Sequence, residues 1–222
     1  MNNRNTVKTS FLIILGLLCH APLAFAGKAA DEPTQKSMQA ALHSYLAQQG
    51  NFCLGKFNWP IDVSEADFAQ QTKDALQMPA LEKLGLVAAV DIEATRKLGD
   101  TQLALPYKRY TLTAAGKKFY LPKKIITEEA GQKIEHTHDL CAAKLTLDKV
   151  VRWEKIQLQG DNQVTTVSYT FKVAAPDWTH DADLQKVFPM LATVLNGEGS
   201  LQLKQLFRWS GKRWVPVYPW EV

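Results

Sequence analysis

Apolar positions recur along this chain at helical spacing in some stretches and alternate in others. Met38, Ala41, Leu42, Tyr45 and Leu46 fall at helical spacing and Gly50 follows as a stop, which predicts an amphipathic helix after a polar leader ending near Lys36. Residues 51–63 carry Cys53, Phe57, Trp59, Pro60 and Ile61 among Asn and Pro interruptions, the pattern of an irregular or short extended segment. Ser64-Glu65-Ala66-Asp67 has the spacing of a capping box. A second helix is expected from there through Phe68, Thr72, Ala75 and Leu76, breaking near Pro79, resuming over Ala80 to Leu84 and stopping at Gly85.

The period then changes. Leu86 to Val90 reads as a strand, residues 93–100 as a polar excursion, and residues 101–112 as a returning strand, after which Thr113-Ala114-Ala115-Gly116 opens a short helical turn. Residues 121–143 read as a connector. Leu145, Leu147, Val151 and Trp153 alternate, whereas Ile156 and Leu158 fall on the other parity, so a bulge is expected near Glu154-Lys155. Gln159-Gly160-Asp161-Asn162 is turn chemistry, and Val167, Tyr169, Phe171 and Val173 line a partner strand, giving a long hairpin over 144–173. Leu184, Val187, Phe188, Leu191 and Leu195 predict a helix over 181–195, bent at Pro189 and stopped by Asn196-Gly197. A last hairpin runs from Leu201 through Trp209, turns at Ser210-Gly211-Lys212 and returns over 213–218. This strand, strand, helix, strand, strand order is that of an antiparallel ββαββ sheet carrying one helix, an α+β unit.

Two resemblances follow from particular residues. Leu81-x-x-Leu84-Gly85-Leu86-Val87, a hairpin, and then Tyr110-x-Leu112-Thr113-x-x-Gly116-Lys117 resemble the recognition-helix exit and wing of a winged helix-turn-helix domain, over roughly residues 64–120. The resemblance implies a fold in which the leucines fill a small core, Gly85 ends the helix and Thr113 caps the helix after the wing. The C-terminal part, Pro176-Asp177-Trp178 through Phe188-Pro189 and the closing Trp209 to Trp214 hairpin, resembles the C-terminal half of small secreted bacterial proteins to which no function attaches. The expected organisation is a leader over 27–36, a winged-helix-like module over 37–124, a connector over 125–141 and the antiparallel α+β module over 142–222.

Residues 1–26 change the picture of where this happens. A basic start with Arg4 and Lys8, an apolar run from Phe11 to Leu18 and the small-x-small site Ala24-Phe25-Ala26 read as a secretory signal peptide cleaved near Ala26. The run is shorter than the about 20 residues of a membrane span. No transmembrane segment is therefore expected in the mature chain, and a periplasmic or secreted location is. Lipidation at Cys19 is disfavoured because Leu18, not a small residue, precedes it. The signal takes two basic residues and one cysteine with it. Cys53 and Cys141 then form an even pair in an oxidising compartment, which points to a disulfide, with two separate buried thiols as the alternative.

With 222 residues, 46% hydrophobic and 22% charged, the chain has the composition of an ordinary globular protein, excluding disorder and multi-pass membrane architecture. Charge is unevenly distributed: Arg96, Lys97, Lys108, Arg109, Lys117, Lys118, Lys123 and Lys124 face the single acid Asp100 between positions 96 and 124. Gathered on the wing-like hairpin, they would attract an anionic envelope component such as lipid headgroups, lipopolysaccharide or peptidoglycan, or an acidic protein. Nucleic acid is disfavoured, because the helix before the wing sets Lys73 and Lys83 against Glu65, Asp67, Asp74 and Glu82, and because of the export signal.

Three further readings concern chemistry. Trp178, Trp214 and Trp220 are candidates for an exposed aromatic patch, whereas Trp153 and Trp209 fit inward strand positions. His136 and His138 share a side in an extended segment and, with Asp139 or a distant His180, make the one candidate metal cluster; a solvated polar stretch before Cys141 is the preferred reading. No Gly-x-Ser-x-Gly elbow or phosphate loop is present, and the acid pairs Glu128-Glu129 and Asp181/Asp183 sit on a turn or at a helix start. A non-catalytic binding or interaction module without a cofactor is expected, with a metal-binding accessory protein or enzyme centred on His136 and His138 as runner-up.

Overall fold

A computed structural model of the chain describes residues 30–98 and 101–218, without the side chains of 94, 96–98 and 101–103. The signal-peptide residues, Cys19, Trp220 and the side chains of Arg96 and Lys97 lie outside the described residues. The fold is α+β, and every strand pairing described is antiparallel. No described helix is long and apolar enough to cross a membrane.

Helix α1 (Gln35–Gln49) opens with a reciprocal Thr34/Ser37 cap and buries Met38, Ala41, Leu42 and Leu46. Strand β1 (Asn51–Cys53) follows, and then β2 (Ile61–Ser64), α2 (Glu65–Gln70) and α3 (Lys73–Lys83). The Ser64–Asp67 capping box forms as expected. The break between helices falls at Gln71, in the left-handed region at φ 52°, rather than at Pro79. Pro79 forgoes one helical hydrogen bond, but Ala75, Met78 and Leu81 around it are buried, and packing holds α3 continuous.

Strands β3 (Val87–Leu98) and β4 (Thr101–Leu112) form a twelve-pair hairpin, so residues 93–98, expected as a polar excursion, are strand. β4 lies between β2 and β3 in this three-stranded sheet. β2 covers β4 only over Tyr107–Tyr110. The six outer pairs, Glu93↔Pro106 to Leu98↔Thr101, therefore extend as a bare two-stranded arm of roughly 17 Å, at ~3.4 Å per residue.

After α4 (Ala114–Lys117), the residues expected as a connector form a second hairpin, β5 (Tyr120–Glu129) with β6 (Gln132–Trp153). β6 is the spine of a seven-stranded sheet that also holds β1, β7 (Gln157–Gln159), β8 (Asn162–Ala174), β9 (Leu203–Trp209) and β10 (Trp214–Pro216). The expected bulge near Glu154-Lys155 is present, since the register against β8 slips by one residue between Trp153↔Val167 and Gln157↔Val164, and two further register shifts fall at 147–149 and 150–152. They keep Leu145, Leu147, Val150 and Trp153 in one core and leave Val151 39% exposed. The helix expected over 181–195 divides into α5 (Ala182–Val187) and α6 (Pro189–Asn196), preceded by a 3-10 turn over Asp177–His180. Pro189 pushes the preceding Phe188 out of helical geometry, to φ −126°, ψ 68°.

Side chains that alternate along β6 serve two cores. Leu140 and Ala142 join Val63, Met78, Leu81, Tyr110, Leu184 and Leu191. Leu145 joins Met38, Leu42, Tyr169, Phe171, Phe207 and Trp214. Helix α1, read from sequence with the winged-helix-like module, thus shares its core with β8, β9 and β10. Burying a ring such as Phe207 contributes about 1.5–3 kcal/mol.

Candidate binding surfaces

The cations that crowd positions 96–124 have different surroundings in the fold. Arg109 sits opposite Asp62 across the β4–β2 ladder and grips it with Nε and Nη2 at 2.7 and 2.6 Å. That fork holds the Asp62 carboxyl below its usual range. Lys108 reaches its cross-strand partner Asp91 at 3.0 Å, and Lys124 reaches Glu135 at 3.0 Å. Lys123 turns inward and donates to the carbonyls of Gln49 and Asn51, both at 3.0 Å, with burial lowering its pKa. Lys117 and Lys118, at the end of α4, are exposed. Exposed pairs such as Lys108–Asp91 are weakly held in water, so a phosphate can compete for the lysine.

The histidines of β6 are occupied differently from a metal site. His136 is 5% exposed; its Nδ1 lies 3.2 Å from Asn58 Oδ1 and its Nε2 2.8 Å from Thr127 Oγ1. An amide oxygen only accepts, so this assignment puts the proton on Nδ1 and makes Nε2 the acceptor of the Thr127 hydroxyl. Phe57 packs on the ring, with centroids 3.9 Å apart. His138 stacks on Tyr120 instead. Among the described residues, no three His, Cys, Asp or Glu side chains gather as metal ligands.

Asp139, weighed from sequence as a third ligand, is the anchor of the loop after β1. It is 2% exposed and accepts the backbone N–H of Lys56 at 2.6 Å and of Gly55 at 3.1 Å. Burial raises its pKa against the pull of those donors. Lys56, 4% exposed, in turn binds Asp74 of α3. Sequence reasoning missed this hub. Its one local signal is Gly55, whose φ of 72° lets the loop turn its two N–H groups toward the carboxylate. Beside it, Cys53 and Cys141 form a disulfide between cross-strand partners of β1 and β6.

Of the tryptophans expected in an exposed patch, the two that are described, Trp178 and Trp214, both pack against a core. Trp178 packs edge-on against Phe119 beside the first core, whereas Trp214, 4% exposed, belongs to the second. Trp214 pairs across the β9–β10 hairpin with Trp209, rings 5.5 Å apart. Both line a cleft of about 750 Å³ between that hairpin and the outer face of α1. Trp209, an expected core residue, is only partly buried. The cleft joins residues more than 150 positions apart in sequence, so no local motif announces it.

No protein-family model, curated protein or solved structure matches this chain.

Proposed function

We propose that the chain is a non-catalytic binding module of the bacterial envelope, exported by its N-terminal signal, which engages a phosphate-bearing anionic surface through the outer β3–β4 arm and, from the opposite end of that hairpin, through Lys117 and Lys118 of α4. The observation that carries this reading is the bare outer arm. A two-stranded ribbon that no further strand of the described residues flanks gains little stability by itself and leaves both edges open to a partner. Arg96 and Lys97 lie on it in sequence, and Lys117 and Lys118 are the exposed lysines of α4. The order β2, α2, α3, β3, β4, with β4 central, supports a winged-helix-like reading of residues 64–120, in which the arm is the wing. The acids of α2 and α3 argue against nucleic acid as the partner. The disulfide suits an oxidising compartment.

The test is co-sedimentation of the chain Gly27–Val222 with anionic and neutral vesicles across a range of salt. Retention on anionic vesicles alone, falling with salt and lost when Arg96, Lys97, Lys117 and Lys118 are all changed to Gln, is expected. Retention unaffected by the four substitutions overturns the reading. A second reading, an enzyme using His136, draws support from the Thr127–His136–Asn58 chain, which has the connectivity of nucleophile, base and orienting group. Ester hydrolysis by the purified protein, abolished by His136→Asn, would favour it.

A further inference from the structure

The cleft between α1 and the β9–β10 hairpin has three properties that together define a class of ligand. Its volume, about 750 Å³, falls within the roughly 300–1,000 Å³ range of small-molecule sites. Trp209 and Trp214 contribute indole surface to it, and their N–H groups find no acceptor among the described residues. Arg208, Lys212 and Arg213 stand along its hairpin side, all exposed and none in an ion pair with a described residue.

From this we infer that the cleft binds an acidic saccharide. A sugar ring offers a C–H face for an indole, hydroxyls for polar side chains and, when acidic, a charge for arginine. The α1 wall supplies hydroxyl and amide groups at Ser37, Ser44 and Gln48, which match a polyhydroxylated ligand better than an apolar one. Asp31 and Glu32 also line the cleft, beside the three cations. Uronic and phosphorylated sugars share this chemistry. The inference is independent of the arm, which lies on a different sheet.

The experiment is titration of the chain Gly27–Val222, followed by tryptophan fluorescence and calorimetry, with trigalacturonate, its methyl ester, glucose 6-phosphate and hexaglutamate. Trigalacturonate or glucose 6-phosphate is expected to bind and change tryptophan emission, and the stronger of the two names the anionic group. The methyl ester is expected not to bind. The double variant Arg208→Gln/Arg213→Gln is expected to weaken binding at least tenfold while leaving the urea midpoint unchanged, and Trp209→Phe to weaken it without loss of fold. Substitution of the arm cations is expected to leave saccharide binding intact, which separates this result from the fate of the arm proposal. Three results overturn the inference: no binding of either acidic sugar at millimolar concentration, equal binding of the methyl ester, or unchanged affinity in the arginine double variant. Binding of hexaglutamate in place of the sugars gives the cleft to an acidic peptide instead. Binding confined to a chain ending at Tyr218 gives it to the protein's own last four residues.

Discussion

The carboxylate of Asp139 on β6 accepts the backbone N–H of Lys56 at 2.6 Å, tying the centre of the longest strand to the loop that follows β1. The same carboxylate holds Gly55, and the Lys56 side chain continues the link to Asp74 on α3. Asp139→Ala leaves the buried Lys56 N–H without its acceptor, whereas the N–H of the exposed Gly55 can turn to water. It should cost about 1–3 kcal/mol in urea unfolding, the usual cost of one orphaned buried group. Asp139→Asn keeps one acceptor oxygen and should lose less. Equal stability of the alanine variant and the parent would show that the loop is held by something else.

Stability should depend on acid in two opposed ways. Asp183 is held at about 2 by Lys83 and Lys186, and Asp181 is held below its usual value by the N–H of Leu184 and by Lys83. Groups with depressed folded values contribute stability above the ordinary carboxylate range and lose it as pH falls through their folded values. Asp139 has the opposite sign: with its folded value raised, its ionisation removes stability as pH climbs from the ordinary carboxylate value through the folded one. Lys83→Met removes the cation common to Asp181 and Asp183. Its urea midpoint should therefore fall less steeply than the parent's between pH 4 and 2, and parallel slopes would refute the assignment.

These contacts also mark how far the sequence could be read. Helical spacing and the Gly50 stop placed α1, and capping chemistry placed the start of α2, because the Ser64 cap acts within three residues and leaves a local signature. Period-2 alternation found β8, whose Val167, Tyr169 and Phe171 all face one core. The β5–β6 hairpin was hidden because its residues alternate poorly: Glu128, Glu129, Gln132 and Lys133 are exposed, and His136 and Asp139 are buried polar groups satisfied by Asn58, Thr127 and a loop more than 75 residues away. The charge cluster was legible as composition. Its neutralisation was not, because Asp62 and Asp91 meet Arg109 and Lys108 only once strand register is set. The α1–β9–β10 cleft required the fold itself.

Cys53 and Cys141, 88 positions apart in sequence, are cross-strand partners. Closing so long a loop restricts the unfolded chain by about 4–5 kcal/mol on the chain-entropy argument. The native pairing does not depend on the bond alone, since Leu54 N–H donates to Leu140 C=O at 2.8 Å just beyond it. The double variant Cys53→Ser/Cys141→Ser should therefore keep its far-ultraviolet circular dichroism while its urea midpoint drops sharply. The parent treated with dithiothreitol should behave the same way. Indistinguishable midpoints for reduced and oxidised protein would dismiss the disulfide as a source of stability.

Gly116 offers a test of how the inner end of the β3–β4 hairpin is held. Thr113 accepts the Gly116 N–H at 3.0 Å and donates to the Gly85 carbonyl at 2.7 Å, clamping α4 onto the end of α3. Gly116 consequently lies against the Leu86 backbone, and a Cβ there would collide with the Leu86 carbonyl oxygen. That oxygen cannot simply move aside, because it accepts the Thr113 N–H at 3.1 Å while the Leu86 N–H donates to Leu81 C=O at 3.0 Å. Helix propensity alone would make Gly116→Ala stabilising by as much as about 1 kcal/mol. The collision reverses the sign, and the variant should lose about 1–3 kcal/mol, the usual cost of overpacking. Ala115→Gly, at an exposed position of the same short helix, controls for propensity and should cost at most about 1 kcal/mol. If Gly116→Ala unfolds at the same urea concentration as the parent or a higher one, the close approach of α4 to Leu86 is wrong.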